Sequence, residues 1–419
     1  MTLGQGVDVG PLSFTVIRML IAVGVIRVIV RSESLAGGLH GLDWLMVVWA
    51  IWACFSSVFH EPVGGALVFR LGLIYNACGI YFLARIFCTS VDDGVRLGRT
   101  IAILLVPVAI AMIYELLANH NAFSIFGGIS ENPEIREGRI RASGPFAHSI
   151  LAGTVGAVSL PLMIGIWPYH RMAASVGIIA CLAIVISSAS SGPVLSTLFG
   201  LGGLFMWRFR RSMRKLRWTA VCAYIGLDIV MKAPAYYLIA RIDVVGGSTG
   251  WYRSRLIESS IEHLNEWWLA GTDYTRHWMA TGLIVSPNHA DITNHYLSMG
   301  VLGGLPLMLL LIAILSKSFS RVGWAVRDGS GMSPREQFVI WTFGSSLVAH
   351  AATWLSVSYF DQSVVFLYLT VAAIGSARPL MANAETRGRA HHARRLDHAH
   401  VPPWPQPPVR EGRHKPRAR

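Results

Sequence analysis

The sequence predicts an all-α, polytopic membrane protein, and three observations support this. Long apolar runs follow one another from Pro11 to Met381. The mean hydropathy is +0.49 and only 14% of the residues are charged. Many of the runs approach or exceed the roughly 20 apolar residues that a bilayer-spanning helix needs. This composition is typical of a membrane protein and unlike that of a soluble domain.

We predict about eleven transmembrane helices within a membrane domain that covers residues 1–381. The first run, 11–30, has no basic segment before it and contains Arg18 and Arg27. Neither feature is typical of a cleavable signal peptide. Residues 382–419 are rich in Arg, His and Pro, which predicts a disordered basic cytoplasmic tail. The predicted spans are 11–30, 42–60, 66–88, 100–118, 147–168, 173–189, 192–207, 218–240, 296–316, 337–358 and 361–381.

The orientation follows from the basic loop 208–217, which is the strongest cytoplasmic marker in the chain. Counting spans outward from this loop places two long loops on the periplasmic side, at about 119–146 and 241–295. The formal net charge of +13 is explained by cytoplasmic loops and anionic lipid headgroups. We therefore predict membrane lipids, and no nucleic acid, as partners.

The chain has five cysteines, all in or beside apolar runs, with no CxxC spacing. Neither a disulfide framework nor a cysteine zinc site is expected from this pattern. We predict no metal ion and no cofactor.

Both periplasmic loops carry arginines, against the usual bias of positive charge toward the cytoplasm. They are Arg136, Arg139 and Arg141 in the first loop, and Arg241, Arg253, Arg255 and Arg276 in the second. One explanation is an anionic substrate, because the planar guanidinium group suits phosphate oxygens. The other is local pairing with neighbouring glutamates, which include Glu134, Glu258 and Glu262.

Residues 251–269 have apolar residues at helical spacing, which predicts an amphipathic helix on the outer surface. Arg253 and Arg255 lie at its start, where they either bind substrate or anchor the helix at the interface.

Other candidate residues lie where loops enter predicted spans. His148 stands just inside a helix start and either contacts a substrate or caps the helix. Asp291, Asn294 and His295 form a polar cluster at the outer mouth of span 296–316. If this segment is helical, Asp291 and His295 share a face, and the carboxylate can orient the imidazole as a general base. The alternative is that His295 only forms structural hydrogen bonds.

At these residues the sequence resembles the O-antigen ligase and O-antigen/exopolysaccharide polymerase superfamily of bacterial membrane proteins. The resemblance covers most of the chain and depends on the order of short motifs. They are Arg141-x-x-Gly144-x-Phe146-x-His148, Ser187–Gly192 between two spans, an outer loop with Arg253, and Asn294-His295-Tyr296-Leu297 leading to Gly303.

The resemblance implies a GT-C-like helical fold with a large periplasmic loop, embedded in the bacterial inner membrane as a multi-pass protein. It also implies a glycosyltransferase that needs no metal ion. The donor would be an undecaprenyl-pyrophosphate-linked oligosaccharide, and the acceptor a glycan or a lipid-linked glycan. A chain-length regulator is a candidate protein partner.

By the same resemblance, Arg141 and one of Arg253 or Arg255 bind the pyrophosphate, and His295 is the candidate base. Arg139, His148 and Asn294 are further candidates. Thr293 stands where the family has a histidine, so His295 is shifted from the usual His-Asn-x-x-Leu pattern. The Asp-x-Thr-Asn pattern favours an exopolysaccharide polymerase over an O-antigen ligase. Two alternatives stay open: a transporter or flippase of lipid-linked glycans, and a non-catalytic assembly partner.

Overall fold

The computed structural model is mostly helical, as the sequence predicts, with 74% of residues in helices and few strands. The predicted cytoplasmic tail 382–419 and residues 241–249 and 280–285 of the predicted second outer loop lie outside the described residues. The structure describes residues 2, 4–10, 12–35, 37–231, 234, 236–238, 250–279, 286–327, 330–360 and 362–376.

Two short hairpins and thirteen helices make up the described part. The strands are β1 Gly6–Val9, β2 Leu12–Thr15, β3 Glu134–Arg136 and β4 Arg139–Arg141. The helices are α1 Val16–Val30, α2 Gly41–Ser56, α3 Val63–Phe87, α4 Val91–Ala118, α5 Ser149–Gly165, α6 Arg171–Ser187, α7 Ser191–Phe205, α8 Met213–Val230, α9 Gly250–Glu262, α10 Leu264–Trp267, α11 His295–Ala325, α12 Pro334–Thr353 and α13 Ser363–Ser376.

Each predicted span contains one of these helices, but the first span begins differently from the prediction. Residues 12–15 pair with β1 in an antiparallel hairpin, so α1 starts only at Val16. Helix α4 instead starts nine residues earlier than predicted. Ser90 and Asp93 form a capping box there, in which the Ser90 Oγ accepts from the Asp93 N–H and the Asp93 carboxylate accepts from the Ser90 N–H.

Four helical segments of the described part are long and apolar enough to cross a membrane. They are Gly41–Phe59, Val63–Phe87, Val91–Ala118 and His295–Ala325. Helices α5, α6 and α13 are apolar but shorter, and the remaining predicted spans are shorter or more polar helices.

Helix α5 is the centre of the bundle. All but two of its 17 residues are buried, and it packs on α6, α7 and α12. Small residues permit these close contacts. A Cβ at Gly156 would lie 2.8 Å from the carbonyl oxygen of Cys181 on α6. A helix that is apolar on every side must be buried, so α5 forms the core around which the other helices pack.

Helix α11 is broken at Gly303 and Gly304, which both have non-helical backbone angles. The backbone groups released by the break find partners elsewhere. The indole N–H of Trp52 donates to the carbonyl of Gly303 (2.7 Å), and the guanidinium group of Arg70 donates to that of Leu302. The N–H of Leu305 donates to the carbonyl of Trp268 (2.8 Å). Because these bonds satisfy the backbone, the break is compatible with an apolar surrounding.

The two predicted outer loops meet at one end of the bundle. The backbone N–H of His295 donates to the carbonyl of Trp354 (2.9 Å), and the amide of Gln362 donates to the carbonyl of Pro145 (3.0 Å). The start of α11, the end of α12 and the chain before α5 are therefore neighbours. The candidate residues lie at this end.

Candidate functional site

The β3–β4 hairpin places four charged residues on one face. Its turn residues, Glu137 and Gly138, both have positive φ angles of 49° and 73°, as a type I′ turn requires. This turn sets the register, in which Glu134 lies opposite Arg141 and Arg136 lies opposite Arg139. Side chains two apart on a strand share a face, so the four side chains project from the same side of the hairpin. This face carries three positive charges and one negative charge.

The chain after the hairpin is held firmly against the end of α4. The Glu115 carboxylate accepts from the backbone N–H groups of Ser143 (3.1 Å) and Gly144 (2.8 Å). The Asn121 amide donates to the carbonyl of Gly144 (2.9 Å). Gly144 has a φ of 56°, and a Cβ there would lie only 2.9 Å from a side-chain carbon of Met112. The glycine in the Arg141-x-x-Gly144 motif is therefore needed for the turn itself.

Arg141 is almost fully buried, with 5% of its surface exposed. Its Nη1 pairs with the Glu134 carboxylate (2.8 Å), and its Nη2 donates to the hydroxyl of Ser190 (2.7 Å). Burial lowers the pKa of Arg141, the Glu134 carboxylate opposes this, and the nearby positive charge of Arg136 lowers the pKa further. Arg141 therefore already has a counter-ion, which a phosphate would have to share or displace.

Arg253 lies near the start of α9 and is half-buried. Within the described part of the chain it forms no ion pair, and its Nε has no hydrogen-bond acceptor. Burial lowers the pKa of Arg253, and the positive charge of Arg136 adds to that effect, while Asp291 opposes it. The charge of Arg136 thus acts on both Arg141 and Arg253, and these three electrostatically linked arginines are called the arginine cluster below.

Arg255 has a different environment although it is only two residues further along α9. It is exposed and pairs with Glu258 and, at 3.5 Å, with Glu262. For Arg255 the local pairing that the sequence leaves open is what the structure has. Of the two candidates on this helix, Arg253 is the one whose charge interacts with Arg136 and Asp291.

Residues 250–269 contain α9 and α10, so the predicted helix 251–269 is present in two pieces, and one side of the segment packs on α11. Leu256 is fully buried and Trp267 nearly so, and both pack with Trp278 and Ala290 against side chains of α11. The Tyr252 hydroxyl also donates to the carbonyl of Asp291 (2.9 Å). One side of the segment is therefore covered by protein, which positions Arg253, whereas Ile261, Leu264 and Trp268 stay exposed. The location of these exposed apolar side chains at the outer membrane surface stays a prediction.

The predicted helical pairing of Asp291 with His295 is wrong. Helix α11 begins at His295, because the side chain of Asn294 caps it by accepting from the N–H of Leu297 (3.2 Å). Asp291 lies in the preceding loop. Burial raises the pKa of Asp291, while the charges of His148 and Arg253 lower it. Its electrostatic neighbours are therefore His148 and Arg253.

His295 is buried, with 5% of its surface exposed, between the rings of Trp354 (4.7 Å between centroids) and Tyr359 (5.6 Å). The backbone N–H of Tyr359 donates to its Nδ1 (3.3 Å). A neutral imidazole that accepts at Nδ1 carries its proton on Nε2 and is a donor there. This arrangement favours a hydrogen-bond donor over a base, and the base role of His295 stays a prediction.

His148 is the exposed histidine of the site. It occupies the N-cap position of α5, but its side chain forms no capping hydrogen bond. Its ring meets that of Phe360 edge-on, with the centroids 5.8 Å apart, and its charge interacts with Asp291. The imidazole is therefore accessible and has a carboxylate in its vicinity.

The structure thus links His148, Asp291, Arg141 and Arg253 through their charge interactions. It adds Arg136, which the sequence offers only as one of several loop arginines, and Ser190, which it offers only as part of the Ser187–Gly192 motif. The contact of Ser190 with Arg141 joins distant segments and has no local signal. No protein-family model matches the chain, and no curated protein matches it.

Proposed function

We propose that this chain is a bacterial inner-membrane glycosyltransferase that acts at the periplasmic face. It transfers or polymerises glycans from an undecaprenyl-pyrophosphate donor, and the exopolysaccharide polymerase reaction is favoured over O-antigen ligation. The observation that carries the proposal is the cluster of Arg136, Arg141 and Arg253, in which Arg253 is half-buried and unpaired among the described residues.

Burying a cation beside others of the same sign costs free energy unless an anion neutralises them. Two carboxylates act on the three guanidinium groups of the cluster: Glu134 pairs with Arg141, and the charge of Asp291 acts on Arg253. The guanidinium fork binds phosphate oxygens with two parallel hydrogen bonds. A pyrophosphate group is therefore a fitting ligand, and the same arginines would stabilise the charge that develops as it leaves.

In this proposal the acceptor sugar hydroxyl attacks the anomeric carbon of the donor, and the bond to the pyrophosphate oxygen breaks. The hydroxyl proton goes to His148, which is exposed and whose imidazolium form Asp291 would stabilise. His295 positions the start of α11, because its backbone N–H donates to the carbonyl of Trp354 and its Nδ1 accepts from the N–H of Tyr359. The pyrophosphate leaves on the lipid carrier, held by Arg253 and Arg136.

The membrane part of the proposal is supported by the surface of the helices. Large apolar side chains are exposed on α1 and α4, including Ile26, Ile29, Ile103 and Leu104. A soluble protein rarely exposes such extended apolar surface, whereas lipid chains cover it readily. We propose eleven spans in a GT-C-like arrangement, with 208–217 in the cytoplasm. A topology reporter fused after Met213 should then report the cytoplasm, and one near Gly247 the periplasm.

The direct test uses purified protein in detergent with a lipid-pyrophosphate-linked oligosaccharide and an acceptor glycan. Chromatography of the products should show longer glycans and released lipid pyrophosphate in equal amounts. Membranes from cells that lack the protein are the background control. Release without glycan growth would contradict transfer, and the absence of both reactions would contradict the enzyme proposal.

A transporter or flippase of lipid-linked glycans is the second candidate, because the broken helix α11 is a feature that transporters use near their binding sites. A cavity of about 880 Å³ adjoins this break, lined by Val68, Phe69, Met299, Leu302 and Tyr359 among others. Liposomes with a fluorescent lipid-linked glycan in one leaflet separate the two functions. Movement between leaflets without glycan transfer would favour the transporter.

A non-catalytic assembly partner would show neither reaction. In that case the arginine cluster would still bind the donor, and co-purification with a catalytic protein or with a chain-length regulator would be the expected result.

A further inference from the structure

We propose a transition-metal site in the second outer loop, formed by His263, Glu266 and His277, that takes zinc. One ligand atom from each of these side chains lies within 4.8 Å of the other two. His263 and Glu266 are three residues apart across the start of α10, so they share a face. His277 comes from the single 3-10 turn Arg276–Met279.

The hydrogen bonds of His263 leave the correct nitrogen free for a metal. Its Nδ1 lies 2.9 Å from the carbonyl oxygen of Ser259. A carbonyl oxygen can only accept, so Nδ1 carries the proton and Nε2 of the neutral ring has a lone pair. Metal-binding histidines generally have this second hydrogen bond to a carbonyl or carboxylate, because it fixes the tautomer and the ring orientation.

Glu266 is also oriented by a neighbour that is not a ligand. The indole N–H of Trp278 donates to its Oε2 (3.1 Å), and His277 Nε2 lies 2.9 Å from the same oxygen. The Tyr274 ring stacks on His277 with an interplanar angle of 12°. Zinc would take the place of the proton on His277 Nε2, and the neutral ring would then carry its one proton on Nδ1; only the second proton of an imidazolium would leave to solvent. The indole hydrogen bond to Glu266 would stay.

The distances between the three ligand atoms are close to those of a zinc site, so only small side-chain movements are needed to bind the ion. With zinc–nitrogen and zinc–oxygen bonds of roughly 2.0–2.1 Å, tetrahedral ligand atoms lie roughly 3.3 Å apart. The closest pair, His277 Nε2 and Glu266 Oε2 at 2.9 Å, would move apart slightly, and the widest would close by side-chain rotation. Two imidazoles select a transition ion over Mg²⁺ or Ca²⁺, which prefer oxygen ligands.

The ion would link α10 to the turn at residues 276–279, within the loop whose packing fixes Arg253 and Asp291. Three protein ligands leave a fourth position for water. The site is distinct from the arginine cluster and independent of the proposed transfer reaction. It revises the prediction of no metal ion, because His263, Glu266 and His277 come from two segments of the loop and have no motif spacing in the sequence.

The test measures zinc in purified full-length protein in detergent. The tail histidines His391, His392, His398 and His400 are first replaced by serine, since they would bind metal non-specifically. After chelator treatment, zinc addition and gel filtration, we expect one zinc ion per chain. His263→Ala and His277→Ala should each weaken zinc affinity by more than about 100-fold, because loss of a residue that only orients a ligand already costs about 10–100-fold. His289→Ala, in the same loop but outside the cluster, should retain zinc.

Two further measurements separate the loss of a ligand from misfolding: a variant that keeps all three ligands, and the spectrum of bound cobalt(II). Trp278→Phe removes only the hydrogen bond to Glu266 and should weaken zinc binding by about 10-fold. Cobalt(II) added to protein with all three ligands intact should give the visible absorption of a four- or five-coordinate ion. Three results would each overturn the site. They are a zinc content no higher than the chelator blank, a zinc content in His263→Ala and His277→Ala equal to that of the parent protein, and a six-coordinate cobalt spectrum.

Discussion

Arg136, in the hairpin before α5, acts electrostatically on Arg253 of α9, and its positive charge adds to burial in lowering the pKa of Arg253. Neither arginine forms an ion pair within the described part of the chain, although Arg141 and Arg255 both do. A protein that needed these arginines only for stability would pair them with carboxylates. The arrangement is instead suited to an anion that comes and goes.

The first prediction compares two arginines of one helix. Arg253→Ala should weaken binding of a short-chain prenyl pyrophosphate by about 10–100-fold, since a charged hydrogen bond contributes roughly 1.5–3 kcal/mol. Arg255→Ala, two residues away and already paired with glutamates, should change the affinity little. Arg253→Lys should recover only part of the loss, because lysine lacks the planar fork. Equal losses in Arg253→Ala and Arg255→Ala would mean that the general charge of α9, and not the cluster, attracts the anion.

The second prediction concerns the counter-ion of Arg141. Glu134→Gln removes the negative charge that competes with a phosphate for Arg141. Pyrophosphate should therefore bind several-fold more tightly, whereas Arg141→Ala should weaken its binding. Glu131→Gln is the control, because Glu131 lies in the same loop near His120 and not at Arg141. If Glu134→Gln binds the anion less well, Glu134 positions Arg141 and does not compete with its ligand.

The third prediction separates the two histidines. His148→Ala should slow glycan transfer by about 10²–10⁴-fold and abolish the acidic limb of the rate profile, as expected for loss of a general base. His295→Gln should retain more activity than His295→Ala, because glutamine still provides an N–H donor. The measurement is turnover against pH with saturating donor. If both His295 variants are equally slow and lose the acidic limb while His148→Ala retains it, His295 is the base.

The helices were predictable because long apolar runs reveal them locally, and each predicted span contains one. Their ends depend on details that hydropathy does not report, such as the Ser90–Asp93 capping box, which extends α4, and Asn294, which starts α11 after Asp291. The partners of the site residues could not be predicted. The proximity of Asp291 to His148, and that of Arg136 to Arg253, come from the meeting of two loops distant in sequence.

The fourth prediction follows from the sign of the Asp291 pKa shift. Burial raises its pKa, and the charges of His148 and Arg253 only partly offset this. A raised pKa means that the stabilising contribution is present below the unfolded pKa of about 3.9 and is lost as the pH rises through the folded pKa. Asp291→Asn should therefore raise the thermal unfolding temperature at neutral pH, and the gain should vanish in acid.

Asp273 is the control for Asp291, because its pKa is shifted in the opposite direction. Burial alone would raise its pKa, but hydrogen bonds from His60 and the backbone N–H of Glu61 outweigh burial and lower it. Its contribution to stability is present above the unfolded pKa and is lost as the pH falls through the folded one. Asp273→Asn should thus lower the unfolding temperature at neutral pH. The same direction of change for both variants would contradict the assigned environments.

The last prediction tests the break in α11. Gly304 has a φ of 73°, and a Cβ there would collide with the backbone carbonyl of Leu269. Gly304→Ala should therefore be severely destabilising, since both the backbone angle and the backbone contact forbid a side chain. Gly323 lies in the same helix with nothing within 4 Å of its Cβ position. Gly323→Ala should leave stability unchanged or raise it by up to about 1 kcal/mol, the difference in helix propensity. Thermal unfolding of both variants in detergent measures the contrast. If Gly304→Ala unfolds at the wild-type temperature, α11 tolerates a continuous helix at this point, and the break does not fix the loop that contains Trp268 and Leu269.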